Sequence, residues 1–476
     1  MLREPQSDHA SDEDSNVERT PVRFHSLSIK TVLAFTACVL PVAANAATPR
    51  LTATPSAALF DQVIHIHAGG LAPKQAVRFV LQRQRADGLW QSSAGCTADQ
   101  SGSIDLAKCV PQKGTYAGAD VMGLFWALRP LKAPAPGTTR PAPTHVAAYT
   151  LQMFSGKNVL ATTQITRSDR NSSVQELTLP APLVGTAFAP TTPGKHPAML
   201  LVGGSEGGHS MDVEAALLAS HGFVTLSLAY FGLPGLPQQL VNVPLETIKG
   251  GLDFLAARSD VDPNRIGMMG VSKGGELTLL SASMFPQIKA AVGIVPSSVV
   301  WMGIDTTNPQ MPVGSWSYEG KPLAYVPGDR QAEMGIGMQF ASGKPVKLEP
   351  LYTASLANAQ AVASATIPVE KTQGPVLLVS GDSDRMWPST PMSDAVMARL
   401  SAMHHPYPDQ HLHYKDAGHT SFFPYSPTYG VTAALWPGGG FDFGGTEAGD
   451  ARAAEDAWPK IVKFLNTALS NTDTLP

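Results

Sequence analysis

The feature that most constrains this chain lies at residues 266–274. The apolar run Ile266-Gly267-Met268-Met269-Gly270-Val271 leads without a gap into Ser272-Lys273-Gly274, where a helical pattern opens. An apolar run of this length bounded by glycine reads as a strand buried on both faces, the kind found in parallel sheets. A strand that becomes a helix through G-x-S-x-G leaves no chain for a wide loop. The serine must occupy a tight, strained turn, with glycines beside it because a Cβ there would clash. Its hydroxyl then stands at the carboxyl end of the strand, and the helix N-terminus behind it favours negative charge.

The flanking rhythm agrees. From about residue 180, strands A-M-L-L-V, F-V-T-L-S-L-A, A-A-V-G-I-V, P-V-L-L-V-S and H-L-H-Y alternate with helical patterns. Helices are expected from Val213 to Ser220, over 245–258, from Lys273, near 391–402 and near 453–469. This alternation predicts a mostly parallel sheet with helices on both faces, an α/β-hydrolase fold over residues 176–476. Residues 300–368 show no clear alternation; they hold Trp301, Trp316, Tyr318 and Tyr325, aromatic residues suited either to capping a pocket or to core packing. Residues 48–175 differ in kind. L-T-A-T-P, V-I-H-I-H, V-R-F-V-L-Q-R and Y-T-L-Q-M-F alternate apolar and polar side chains between turn residues, and no helix is expected. That pattern predicts an immunoglobulin-like β-sandwich, with Pro134, Pro136, Pro141 and Pro143 in a loop.

Chemistry follows from chain order. G-x-S-x-G also occurs as Gly203-Gly204-Ser205-Glu206-Gly207, two strands before Ser272. In this fold that place belongs to the oxyanion loop, where glycines let backbone N–H groups approach a substrate oxygen. Gly204, Ser205 and Glu206 are therefore the expected oxyanion region, with the Lys273 N–H as second donor. Serine needs a base, and the order Ser, acid, His is expected. The strand P-V-L-L-V-S ends in Gly381-Asp382-Ser383-Asp384. Asp384, deeper in the turn, is the favoured acid, and Asp382 its competitor. After the strand H-L-H-Y comes Asp416-Ala417-Gly418-His419, and His419 is the expected base. His411 and His413 read as strand residues, and His404 and His405 as loop residues. His65 and His67 alternate within a strand and do not read as metal ligands. The chemistry calls for no cofactor.

Residues 1–47 read as a polar leader and signal peptide. Arg23, His25 and Lys30 precede an apolar run that ends in Ala44-Asn45-Ala46. The run is shorter than the ~20 residues of a membrane span, so no stable span is expected after cleavage. Export to the periplasm or beyond is the expectation, with an uncleaved anchor as the alternative. Export in turn makes Cys96 and Cys109 a disulfide candidate. The net charge of −4 comes with no long basic block, which argues against nucleic-acid binding.

With these residues in place, the chain resembles the acyl-CoA thioesterase / bile acid-CoA:amino acid N-acyltransferase family. The resemblance rests on Y-A-G-A-D-V-M-G-L-F-W-A-L in the first domain. In the second it rests on L-L-A-S-H-G-F-V-T-L-S-L-A-Y-F-G, G-V-S-K-G-G-E-L and D-A-G-H. It implies the triad Ser272, Asp384 and His419 and a small-molecule acyl thioester or ester substrate. Serine as nucleophile is similar to the thioesterase branch; cysteine marks the acyltransferases. Glu206 departs from the more Gly-rich loop of animal members. The rivals to an acyl-CoA thioesterase are an exported carboxylesterase or dienelactone-hydrolase-like enzyme, and an N-acyltransferase.

Overall fold

The computed structural model describes residues 48–132, 144–308, 313–420, 422–430, 432–436 and 439–470. The expected leader and signal peptide and the expected proline loop lie outside the described residues. The strand-helix alternation builds one eight-stranded sheet. Its strands are β1 (Val174–Leu177), β2 (Gly185–Pro190), β3 (His196–Val202), β4 (Val224–Leu228), β5 (Val261–Val271), β6 (Ile288–Ile294), β7 (Val376–Gly381) and β8 (Gln410–Tyr414). Their order is β1-β2-β4-β3-β5-β6-β7-β8. Only β2 runs antiparallel to its neighbours; all other pairs in this sheet are parallel. The chain winds one way from β3 to β4 and the other way from β5 to β6. The carboxyl ends of β3 and β5 thus flank a topological switch point, where open α/β sheets form their clefts.

The period-two alternation within each strand sorts side chains between two cores. Met199, Leu201, Met269 and Val292 face the helices Asp212–Ser220 and Glu447–Ala468. Leu200, Val202, Met268 and Ala291 face Glu246–Ala257, Lys273–Met284 and Ser389–Ala402. Every residue of β4 and β7 is buried, as strands covered on both faces must be.

The N-terminal region is a sandwich. A six-stranded sheet, running from Ala57–Leu59 through the long hairpins 76–97 and 146–168, faces a three-stranded sheet that includes Arg50–Thr54 and His65–Gly69. One helical turn, Gly123–Trp126, departs from the expectation of no helix. All of its residues are buried, so a four-residue apolar run shows neither alternation nor a helical period. Cys96 and Cys109 are disulfide-bonded, with Cα atoms 6.1 Å apart. Arg167 of the sandwich reaches across the junction: its guanidinium donates to the Tyr425 carbonyl at 2.9 Å and to the Phe60 carbonyl. Asp61 accepts from Trp458 Nε1 at 3.0 Å and bonds His221 at 2.6 Å.

The irregular stretch after β6 holds the helices Arg330–Ala341, Glu349–Ser355 and Ala359–Ala365. Of the two roles open to Trp301 and Trp316, capping a pocket or packing in the core, they take the second: both side chains are fully buried. No helix among the described residues is long and apolar enough to cross a membrane.

Candidate active site

Ser272 joins β5 to the helix Lys273–Met284 with φ 59° and ψ −121°, a conformation that costs a non-glycine residue of order 1–3 kcal/mol. The strain is held from both sides. The Ser272 N–H donates to the Ile294 carbonyl at 2.8 Å, which pins the turn to the end of β6. A Cβ on Gly270 would lie 2.2 Å from the Gly274 carbonyl oxygen, so only glycine permits a turn this tight.

The Ser272 hydroxyl is 2.8 Å from His419 Nε2, and His419 Nδ1 is 2.8 Å from Asp384 Oδ2. His419 lies beyond β8, where its N–H donates to Phe443 O at 2.8 Å. Its ring is packed by the edge of Trp387 and by the face of Phe443. Asp384 follows β7. Its Oδ1 accepts the N–H groups of Met386 at 2.8 Å and Trp387 at 3.2 Å, and its Oδ2 also accepts from Ser389 at 2.7 Å. These donors hold the carboxylate in one orientation beneath the imidazole. Asp382, the competing acid, turns away: its carboxylate meets His413 at 3.1 Å and Thr390 at 3.0 Å.

Ser380, His411 and Asp394 repeat the bonding pattern, with Ser380 Oγ 2.8 Å from His411 Nε2 and His411 Nδ1 3.2 Å from Asp394. Ser380 is fully buried within β7, where no substrate carbonyl reaches it. The elbow, not the bonding pattern alone, distinguishes Ser272. Ser205 is exposed in the loop after β3.

That loop lies against the elbow. A Cβ on Gly204 would come 3.2 Å from Ser272 Cβ. The Gly204 N–H donates to Glu206 Oε1 at 3.0 Å, so the side chain of one expected oxyanion residue engages the backbone of another. The Lys273 N–H heads the helix, where the first N–H groups have no intrahelical acceptor.

Beneath both halves lies a buried network built on Lys273 and Glu276 of the G-V-S-K-G-G-E-L run. The Lys273 ammonium bonds both oxygens of Glu276, at 2.9 and 2.8 Å. Glu276 also accepts Trp316 Nε1 at 2.7 Å and the Trp301 N–H at 3.2 Å. Burial lowers the Lys273 pKa and raises that of Glu276, and their mutual attraction opposes both shifts. Tyr230 packs on Trp316 with ring centroids 5.6 Å apart, and its hydroxyl lies 2.9 Å from Gly203 O and 2.7 Å from Gly204 O. Tyr230 was readable in one respect: it stands just past β4, whose carboxyl end adjoins that of β3 in a parallel sheet. Asp450 is a further buried group, accepting the Gly418 N–H at 2.9 Å directly before His419. Its carboxyl is pushed up to about 7, chiefly by burial and further by Asp384 and Glu447. No cluster of three His, Cys, Asp or Glu suited to a metal ion occurs among the described residues.

A strained serine, an imidazole and a fixed carboxylate in line can transfer a proton from serine to histidine during attack on an acyl carbon. Residues 61–180 match the acyl-CoA thioester hydrolase/BAAT N-terminal region, and residues 243–471 match the BAAT / acyl-CoA thioester hydrolase C-terminal region. The chain is 30% identical over 434 residues to acyl-coenzyme A amino acid N-acyltransferase 1 of Mus musculus, covering 88% of this chain and 98% of the relative. It is 29% identical over 425 residues to the mitochondrial acyl-coenzyme A thioesterase 2 of Homo sapiens, covering 88% of this chain and 84% of the relative. The bile acid-CoA:amino acid N-acyltransferase of Mus musculus is 29% identical over 432 residues, with 88% and 98% covered.

Proposed function

Because this chain belongs to the acyl-CoA thioester hydrolase/BAAT family, we propose that it hydrolyses acyl thioesters of the acyl-CoA type through an acyl-enzyme on Ser272. In this reading His419 takes the Ser272 proton as the oxygen attacks the acyl carbon, and Asp384 holds the imidazole and stabilises its charged form. The tetrahedral oxyanion gathers against the Lys273 N–H and the backbone of the Gly204–Glu206 loop. The thiolate leaves with the His419 proton. Water, deprotonated by His419, then releases the acid and frees Ser272. No cofactor enters.

The observation that supports this most is the line from Ser272 Oγ to His419 to Asp384, two contacts of 2.8 Å on a strained elbow. Labelling with a fluorophosphonate followed by peptide mapping tests it. The label belongs on Ser272, and a label on Ser205 would remove the reading. Acyltransferases among the relatives make the resolving nucleophile a separate question. Turnover of an acyl-CoA with glycine or taurine present should yield free acid; an amide product would move the chain to the transferase branch. In the same reading the 1–47 leader exports the chain, and fractionation of tagged protein checks that.

A further inference from the structure

The Glu206 side chain has no part in the acyl transfer just described, yet it lies beside the nucleophile. Its Oε1 accepts the Gly204 N–H at 3.0 Å and the Ser210 hydroxyl. Its Oε2 lies near Ser272 across Gly204: a Cβ on Gly204 would be 2.8 Å from Glu206 Oε2 and 3.2 Å from Ser272 Cβ. Both hydrogen-bond donors are neutral. The neighbouring imidazole, His209, is paired with Asp212 at 2.8 Å, and no ion pair forms to Glu206 among the described residues. The charge is felt nearby: Glu214, raised to about 7 mainly by burial, is pushed up further by Asp212 and Glu206.

A scissile carbonyl carbon must approach Ser272 Oγ to about 3 Å with its oxygen turned to the loop. The first carbons of the acyl chain then pass within a few ångströms of an anion that no cation pairs with among the described residues. We infer that Glu206 is a specificity-determining residue that reads charge on the acyl group next to the scissile carbonyl. It favours acyl groups with an ammonium on the first carbons and disfavours those with a carboxylate there. The inference rests on acyl transfer at Ser272, but not on whether the leaving group is a thiolate or an alkoxide.

Three isosteric acyl donors with one common leaving group test it, carrying a cationic, a neutral or an anionic substituent beside the carbonyl. Wild type should order kcat/KM as cationic, neutral, anionic, with about tenfold or more between the extremes. Raising ionic strength should narrow that spread. In Glu206→Gln the spread should collapse, because the side chain keeps its shape and its acceptor but loses its charge. An unchanged spread in Glu206→Gln overturns the inference, even if overall activity falls, and so does a wild-type preference for the anionic donor. Failure of wild type on all three donors, with no label on Ser272, counts instead against the proposed function.

Discussion

A Cβ on Gly274 would sit 2.2 Å from the carbonyl oxygen of Gly203, so the helix that follows the nucleophile touches the loop that follows β3 through bare backbone. The two glycines come from the two G-x-S-x-G runs, and their contact joins the elbow to the expected oxyanion loop. Gly274→Ala must push the two apart. A displacement near 1 Å at reacting groups costs about 100-fold. The variant is expected to lose at least about that factor in kcat while keeping its far-UV circular dichroism; wild-type turnover would show that the contact has no catalytic weight.

The two aspartates after β7 should separate cleanly. Asp384→Asn removes the acceptor that holds the imidazole and is expected to lower kcat by about 10³–10⁴. Asp382→Asn disturbs only partly exposed contacts with His413 and Thr390 and should leave kcat within about twofold. Steady-state rates of the two purified variants decide it, and the reverse ranking would exchange their roles.

Tyr230 is expected to act as a positioning residue. Its single hydroxyl hydrogen is shared between two carbonyls of the expected oxyanion loop, in a site only 1% exposed. Tyr230→Phe leaves the ring packing on Trp316 but removes that tie, a loss of about 1–3 kcal/mol. The expected signature is a kcat about tenfold lower with KM unchanged, since the oxyanion forms only in the transition state. A rise in KM alone would point to substrate binding instead.

Asp450 makes stability depend on pH. Its folded pKa, about 7, lies above the ordinary value of 3.8 because burial disfavours the charged form. The unfolded chain therefore releases this proton first as pH rises. The group's contribution is full below 3.8 and is lost across the window up to about 7. Asp450→Asn keeps an acceptor for the Gly418 N–H without the charge. Its stability relative to wild type should grow through that window, by a few kcal/mol at most. Urea denaturation on either side of the window measures it, and a constant difference would refute the assignment.

The order of chemistry along the chain was legible because it depends on local rules. A buried strand running into G-V-S-K-G can form only a tight turn, and alternation of strands and helices forces the parallel sheet that puts Asp384 and His419 at the same end as Ser272. Period-two strands likewise announced the sandwich before residue 175. Tertiary structure decided what local rules leave open. Asp382 and Asp384 stand two residues apart in one turn, and only folding shows which carboxylate meets the imidazole. The apolar run Gly123–Trp126 is helical, and because all of its residues are buried it carries no periodic pattern to announce that. Trp301 and Trp316 joined the core, where the Trp301 backbone N–H and the Trp316 indole N–H donate to Glu276. Glu206 was visible as an odd residue in a glycine loop; the fold brought it beside Gly204, next to Ser272. Each of these depends on which distant segments converge, and that is set by packing and by the need to pair buried polar groups, neither of which is written in any short stretch of chain.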